Sequence, residues 1–132
     1  MTDRPVTFRE PFPMLGVADP DRSVAFYRDL LGFTLTYRSP DSGPLDFAYL
    51  TLGGAGLGVG RRQDPHAWTG QRLAHGGVPS VDLCVYVDDL DAATTYLASH
   101  GVEVITPPAD MDWGERTAWV ADPDGHQIML TR

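Results

Sequence analysis

Three chemically active side chains alternate with apolar residues along Val81-Asp-Leu-Cys-Val-Tyr-Val87. Successive side chains of a β-strand point to opposite faces, so in a strand over 81–87 Asp82, Cys84 and Tyr86 share one face. A carboxylate in such a group could accept hydrogen bonds from a cation. The same carboxylate could also act as a general base, with the phenol as proton donor.

A second segment, Gly56-Leu-Gly-Val-Gly60, has glycine at every second position. In a strand, Gly56, Gly58 and Gly60 would share a face without side-chain volume. This pattern fits the close approach of a ligand, and it fits a β-bulge or backbone packing equally well. It does not fit a nucleotide loop, because the G-x-G-x-x-G spacing and a following helix are both missing.

A repeated unit positions these groups. The segment that begins Val17-Ala-Asp-Pro-Asp-Arg-Ser recurs as Val87-Asp-Asp-Leu-Asp-Ala-Ala, offset by 70 residues, and the second helix is one residue shorter. Each copy reads β-α-β-β-β with a glycine at the helix end, and Asp19 is the predicted N-cap of the first helix. The repeat predicts one domain over 1–132, with module one at about 11–61, a linker at 62–80 and module two at 81–132.

Composition limits the classes of partner. The chain has 132 residues and a net charge of −8, and all ten of its basic residues are Arg. From residue 71 onward there are 10 acids against 3 Arg. This charge disfavours nucleic acid and favours a cationic ligand. There is no apolar run long enough for a membrane span, and the single Cys84 fits a cytoplasmic location.

Three stretches resemble a known family. They are Val17-Ala-Asp-Pro-Asp-Arg-Ser-Val-Ala-Phe-Tyr-Arg-Asp-Leu-Leu-Gly-Phe33, Trp113-Gly-Glu-Arg116 and Asp122-Pro-Asp-Gly-His-Gln-Ile-Met-Leu130. With the duplicated modules, they resemble the vicinal oxygen chelate superfamily of glyoxalases, extradiol dioxygenases and bleomycin-binding proteins. The resemblance implies an α+β fold in which two tandem βαβββ modules form a curved mixed sheet around a cavity. It also implies a homodimer.

In metal-using members of that superfamily, the ligands come from the first and last strand of each module. The resemblance carries those positions onto Phe12, Gly58, Asp82 and Met129. Catalytic transition metals usually require three or more nitrogen or carboxylate ligands, and only Asp82 qualifies. Shifting the alignment by two residues adds Glu10 and Gln127, which still makes a poor site. We therefore expect no metal and no other cofactor.

The expected ligand contacts are apolar or aromatic groups with a few placed polar groups, as small-molecule sites usually are. They are Phe12, Tyr49, Gly58, Asp82, Cys84, Tyr86, Trp113, Arg116 and Met129. Asp82 would accept hydrogen bonds from an amine. Arg116 has two other interpretations, as an ion-pair partner of Asp82 or as an anchor for the loop around Trp113.

Three hypotheses follow. The favoured one is a metal-independent binding protein of the bleomycin-resistance type, with no catalytic residues, that holds a flat and preferably cationic small molecule in the cavity. The alternative is a glyoxalase-like lyase or dioxygenase-like enzyme, with a metal on Glu10, His75 and Asp82 or with Asp82 and Tyr86 as base and acid. The third is a scaffold domain that uses the fold only for association.

Overall fold

The computed structural model describes residues 5, 7, 9–61 and 82–132, and the predicted linker lies outside these residues. Module one consists of β1 (Met14–Val17), α1 (Pro20–Val24) continued by a π-helix (Ala25–Leu30), β2 (Thr34–Ser39), β3 (Phe47–Leu52) and β4 (Ala55–Arg61). Module two consists of β5 (Leu83–Tyr86), α2 (Leu90–Ser99), β6 (Val104–Asp110), β7 (Arg116–Ala121) and β8 (Gln127–Thr131).

Each module forms one four-stranded mixed sheet. The first sheet has the order β1-β4-β3-β2 and the second has the order β5-β8-β7-β6. In each sheet the first strand pairs in parallel with the last, and the other pairs are antiparallel. These sheets confirm the predicted α+β class and the two βαβββ modules.

Both helices begin in the same way. Asp19 and Asp89 have nearly identical backbone angles, with φ −136° and ψ 98° at the first and φ −137° and ψ 98° at the second. The Asp19 carboxylate accepts hydrogen bonds from the backbone N–H groups of Asp21 and Arg22, and that of Asp89 accepts one from Ala92. These N–H groups have no partner inside the helix. Asp19 therefore caps the first helix as predicted, and Asp89 caps the second in the same way.

The first helix contains a π-helical turn that the sequence pattern did not predict. One residue more separates Asp19 from Gly32 than separates Asp89 from Gly101. The chain accommodates this residue in the π-helix, where Leu31 N–H bonds the carbonyl of Phe26 at 3.3 Å. Such widened turns occur frequently at functional sites.

The core lies between the sheets and their helices. The back face of each sheet consists of fully buried apolar side chains, including Leu50 and Val59 in module one and Val120 and Ile128 in module two. The helix of each module packs on that face, and both modules contribute to one hydrophobic cluster. The opposite face of each sheet is left open.

The turn at 122–126 joins the modules through polar contacts. The buried Tyr27 hydroxyl donates to Asp122 Oδ2 at 2.7 Å, and backbone N–H groups of Asp124 and His126 donate to Asp122 Oδ1. Asp124 in turn accepts a hydrogen bond from the backbone N–H of Ala18 at 2.8 Å. Burial and the Asp122 carboxylate raise the pKa of Tyr27 far above its usual value. The phenol therefore stays protonated and continues to donate.

One segment differs from the prediction. The prolines and glycine of Pro107 to Gly114 predict a loop there, but β6 continues to Asp110. Its pairing with β7 shifts register between Thr106 and Ala109, across the two prolines that cannot donate ladder hydrogen bonds. Within the described ranges, no helix has the length and apolar character needed to cross a membrane.

Candidate ligand-binding site

The open face of the second sheet combines carboxylates with aromatic rings. We call it the acidic face, and its members are Asp82, Cys84, Tyr86, Trp113, Glu115, Trp119 and Met129. Cys84 and Trp119 flank Met129 on adjacent strands, which places the three side chains in one row across the sheet. Trp119 donates its indole N–H to Asp82 Oδ2 at 3.1 Å.

Glu115 is the second carboxylate of this face, and sequence reasoning missed it. Its Oε1 accepts the Trp113 indole N–H at 2.8 Å, and its Oε2 accepts the Tyr86 hydroxyl at 3.3 Å. The alternation of side chains along a strand could have identified Glu115, because it places Glu115 on the same face as Trp119. The sequence pattern predicts a loop for the segment that holds Glu115, and strand parity does not apply within a loop.

Arg116 has the opposite parity and lies away from the acidic face. Its guanidinium bonds Asp91 on α2 at 2.9 Å and Asp110 on β6 at 3.2 Å. Its backbone N–H also bonds the carbonyl of Arg132. Asp82 pairs with Trp119 and not with Arg116, so the ion-pair interpretation of Asp82 is wrong. The contacts of Arg116 agree with the anchoring interpretation.

The two carboxylates change the acidity of their neighbours. Burial, then the charge of Glu115, then that of Asp82 raise the pKa of the Cys84 thiol. The charge of Glu115 and its hydrogen bond raise the pKa of Tyr86. Both groups are therefore protonated at neutral pH, and neither is activated as a nucleophile or a base.

The raised pKa of Cys84 predicts slow alkylation. Because the thiolate is the reactive form, iodoacetamide should modify Cys84 more slowly at pH 8 than a free thiol of ordinary pKa. Glu115→Gln should accelerate the reaction, and the midpoint of its pH–rate curve should move to lower pH. Cys84 is the single cysteine of the chain, so mass spectrometry of the whole protein measures its alkylation rate. Equal rates in Glu115→Gln and in the control Glu103→Gln would contradict this prediction.

The open face of the first sheet is aromatic. We call it the aromatic face, and its members are Phe12, Met14, Tyr37, Phe47 and Tyr49. The rings of Phe12 and Tyr49 lie edge to face with centroids 4.9 Å apart, and those of Tyr37 and Phe47 are tilted with centroids 6.0 Å apart. With Glu10, the four rings line a cavity of about 410 Å³.

The alternating glycines of β4 lie beneath these side chains. A Cβ on Gly56 would fall 1.7 Å from the Tyr49 hydroxyl oxygen, and a Cβ on Gly58 would fall 2.3 Å from Met14 Sδ and 3.0 Å from Phe12. The volume that the glycines leave open is thus filled by side chains of the same sheet. These side chains can lie flat against the strand only because the glycines are there.

Gly58→Ala is therefore expected to lift Met14 and Phe12 off the sheet. The Met14 side chain is half exposed and can move into solvent, so the loss in free energy of unfolding should be about 1 kcal/mol, the low end for overpacking. Gly60→Ala is the matched control, since its Cβ would meet nothing closer than 3.4 Å. Chemical denaturation measures both changes, and equal losses in the two variants would contradict the packing argument.

The residues at the four ligand positions do not fit a divalent metal. Phe12 and Gly58 offer no donor atom, Met129 offers a soft thioether, and the Asp82 carboxylate is the one hard oxygen donor of the set. In the part of the chain that the structure describes, no three His, Cys, Asp or Glu residues form a group that could hold a metal ion. His66 and His75 lie outside the described residues.

Comparison with known proteins identifies the family. The family model described as Glyoxalase/Bleomycin resistance protein/Dioxygenase superfamily matches residues 11–130. The chain belongs to this superfamily. The match covers nearly all of both modules, so it supports the resemblance seen in the sequence motifs.

Individual relatives of the superfamily carry different names. Lactoylglutathione lyase of Haemophilus influenzae is 29% identical over 117 residues, which cover 87% of this chain and 85% of that protein. The crystal structure of TioX from Micromonospora sp. ML1 is 30% identical, with a TM-score of 0.73, and the alignment covers 94% of this chain and 98% of that one. A superfamily member from Sphaerobacter thermophilus is 27% identical, with a TM-score of 0.68 and coverage of 94% and 97%. One of these relatives is named as a lyase. Membership of the superfamily therefore does not decide whether this chain binds a ligand or catalyses a reaction.

Proposed function

We propose that this protein is a metal-independent binding protein of the bleomycin-resistance type that holds a flat, cationic small molecule. One observation carries the proposal: both carboxylates of the acidic face accept hydrogen bonds from aromatic side chains that also line this face. The aromatic donors orient the carboxylates, and their rings supply apolar area beside each negative charge.

This arrangement matches the chemistry of a planar cation. The cation would form charge-assisted hydrogen bonds with the carboxylate oxygens. Its flat surface would stack on Trp113 or Trp119, and both the apolar contact and the cation–π attraction would favour it. Trp113 and Tyr86 are 61% and 71% exposed, so these rings are open to a ligand.

The second candidate is a lyase, which the name of the Haemophilus influenzae relative supports. Known chemistry of that kind in the superfamily depends, by the resemblance stated above, on metal ligands at the four positions. Phe12, Gly58 and Met129 at those positions favour binding over metal-assisted catalysis. The raised pKa of Cys84 likewise gives no activated thiolate nucleophile on the acidic face.

We also propose a homodimer. Large apolar side chains are exposed away from the acidic face, including Tyr37 and Met14 on the aromatic face. Contiguous exposed apolar area often marks an interaction site. Light scattering coupled to size exclusion should give twice the chain mass of 14.4 kDa. A monomer at micromolar concentration would remove the dimer from the proposal.

Isothermal titration calorimetry of the full chain tests the proposed function. The ligands are a panel of planar aromatic compounds, each in a cationic form and a neutral form of the same ring system. Saturable binding of the cations, with protection of Cys84 from iodoacetamide, supports the proposal.

Elemental analysis of the same sample tests the alternative that the protein is a lyase. Stoichiometric zinc, nickel, iron or manganese, with turnover of the hemithioacetal of glutathione and methylglyoxal, would favour the enzyme.

A further inference from the structure

A further cavity lies between the first helix and module two, and none of its described lining residues belongs to the acidic face or the aromatic face. We call it the junction cavity, and its volume of about 480 Å³ is in the range of small-molecule pockets. It is lined by Arg22 of α1, by four residues of the π-helix, and by the module-two segments 100–103 and 121–123. Widened helical turns occur frequently at functional sites, and here the widened turn forms one wall of a cavity.

Apolar groups of both modules line the inner part of the junction cavity. Phe26 of the π-helix and Ala121 of β7 are buried, and Leu30 and Val102 are half-buried. An apolar or aromatic group that entered the cavity would leave water and contact both modules, and this burial is favourable.

The rim of the junction cavity carries one positive and one negative side chain that form no ion pair with any described residue. The positive one is Arg22, whose guanidinium donates a single hydrogen bond, to the carbonyl of Pro123 at 3.4 Å. The negative one is Glu103, which is exposed. The other exposed acid of the lining, Asp29, is already paired with Arg28 at 2.8 Å. Arg22 and Glu103 are therefore the two charges with which a ligand can pair.

We propose that the junction cavity binds a free α-amino acid with an apolar or aromatic side chain. Arg22 binds the carboxylate, Glu103 accepts hydrogen bonds from the ammonium group, and the side chain of the ligand packs against Phe26 and Leu30. A plain carboxylate would be repelled by Glu103, and a plain amine would be repelled by Arg22. A zwitterion pairs with both groups and has no net charge, so the chain's net charge of −8 does not repel it.

His100 adds a second acceptor for the ammonium group. Its Nδ1 lies 2.9 Å from the carbonyl oxygen of Tyr96, and because a carbonyl oxygen can only accept, Nδ1 carries the proton of this hydrogen bond. In the neutral ring Nε2 is then an acceptor, and it bonds no residue in the described part of the chain. The cavity thus offers one donor group for a carboxylate and two acceptors for an ammonium.

Isothermal titration calorimetry of the full chain with L-phenylalanine and L-leucine tests this inference, which goes beyond the proposed function and does not rest on it. Both amino acids should bind saturably and raise the melting temperature, since a ligand of the folded state stabilises that state. Phenylpropionate lacks the ammonium and phenethylamine lacks the carboxylate, so each should bind at least about tenfold more weakly than L-phenylalanine. D-Phenylalanine should bind with a different affinity, because three contacts around one carbon distinguish the enantiomers.

Variants locate the binding of L-phenylalanine. Arg22→Gln and Glu103→Gln should each weaken it about tenfold, because each removes one charge-assisted contact. Arg9→Gln and Glu10→Gln are the matched controls, since they remove one charge of each sign at exposed positions outside the junction cavity. Circular dichroism of each variant reports its folding. No saturable binding of either amino acid, equal affinity for the analogues or for the two enantiomers, or unchanged binding in Arg22→Gln and Glu103→Gln would overturn the proposal.

Discussion

Tyr27→Phe is expected to lower the free energy of unfolding by about 1.5–3 kcal/mol, the usual range for a hydrogen bond to a charged group. The Tyr27 hydroxyl is buried and donates at 2.7 Å to Asp122, which is itself buried. The change removes one oxygen atom and leaves the ring packing intact. The backbone donors to the other Asp122 oxygen remain, so the protein should still fold. Urea denaturation followed by fluorescence gives the value.

Tyr96→Phe is the matched control for this loss. Its hydroxyl also joins the modules, since it donates to the carbonyl of Leu30 at 3.2 Å, but the contact is exposed. Water can replace the lost partner, so the cost should stay below about 1 kcal/mol. Equal losses in both variants would show that burial of the Tyr27–Asp122 bond does not strengthen it.

The double change Asp82→Asn and Glu115→Gln should weaken binding of a planar cation by about tenfold or more. Asp82→Asn keeps the shape of the side chain and an oxygen acceptor for Trp119. Glu115→Gln keeps the shape and one oxygen acceptor, which serves one of its two donors, Trp113 or Tyr86. Each substitution removes a charge-assisted hydrogen bond between the carboxylate and the ligand cation. Such a bond contributes about 1.5 kcal/mol at the low end, which corresponds to roughly tenfold in Kd. Calorimetry with the cations of the planar panel measures the change.

Two comparisons show whether charge on this face is responsible. Glu103→Gln removes an exposed carboxylate outside the acidic face and should leave Kd within about twofold. Raising the salt concentration should weaken binding to the unmodified protein more than to the double variant, because salt screens exposed charges. If the double variant bound the cations as tightly as the unmodified protein, the acidic face would not be the binding site.

Short-range sequence patterns were sufficient to predict much of the fold. The aspartate cap at Asp19, the terminal glycines and the 70-residue offset together gave the helix ends and the module order. Strand parity placed Asp82, Cys84 and Tyr86 on one face. The family resemblance supplied the positions of Met129 and Gly58, which the structure pairs with Cys84 and Tyr49. These signals are short in range, and the backbone geometry of helices and strands fixes them.

Other features depended on contacts between residues far apart in the sequence, which short sequence patterns do not predict. The sequence showed that the first helix has one residue more, but not that a π-helix would accommodate it. The glycine pattern in β4 was ambiguous because the side chains that cover it come from other strands. Charge alone left three roles open for Arg116, as a ligand contact, a partner of Asp82 or a loop anchor, because its partners on α2 and β6 are distant in sequence.

The widened turn in the first helix has a consequence for how the two halves diverged. An extra residue in a regular helix rotates everything after it by about 100°. Here the π-helix absorbs that rotation, so Gly32 ends its helix as Gly101 does, with φ 86° against 82°. The chain can therefore enter and leave both helices in the same way, while only the first helix directs a buried phenol into the neighbouring half. Duplicated halves can acquire such a buried link without any change in the strands that flank it.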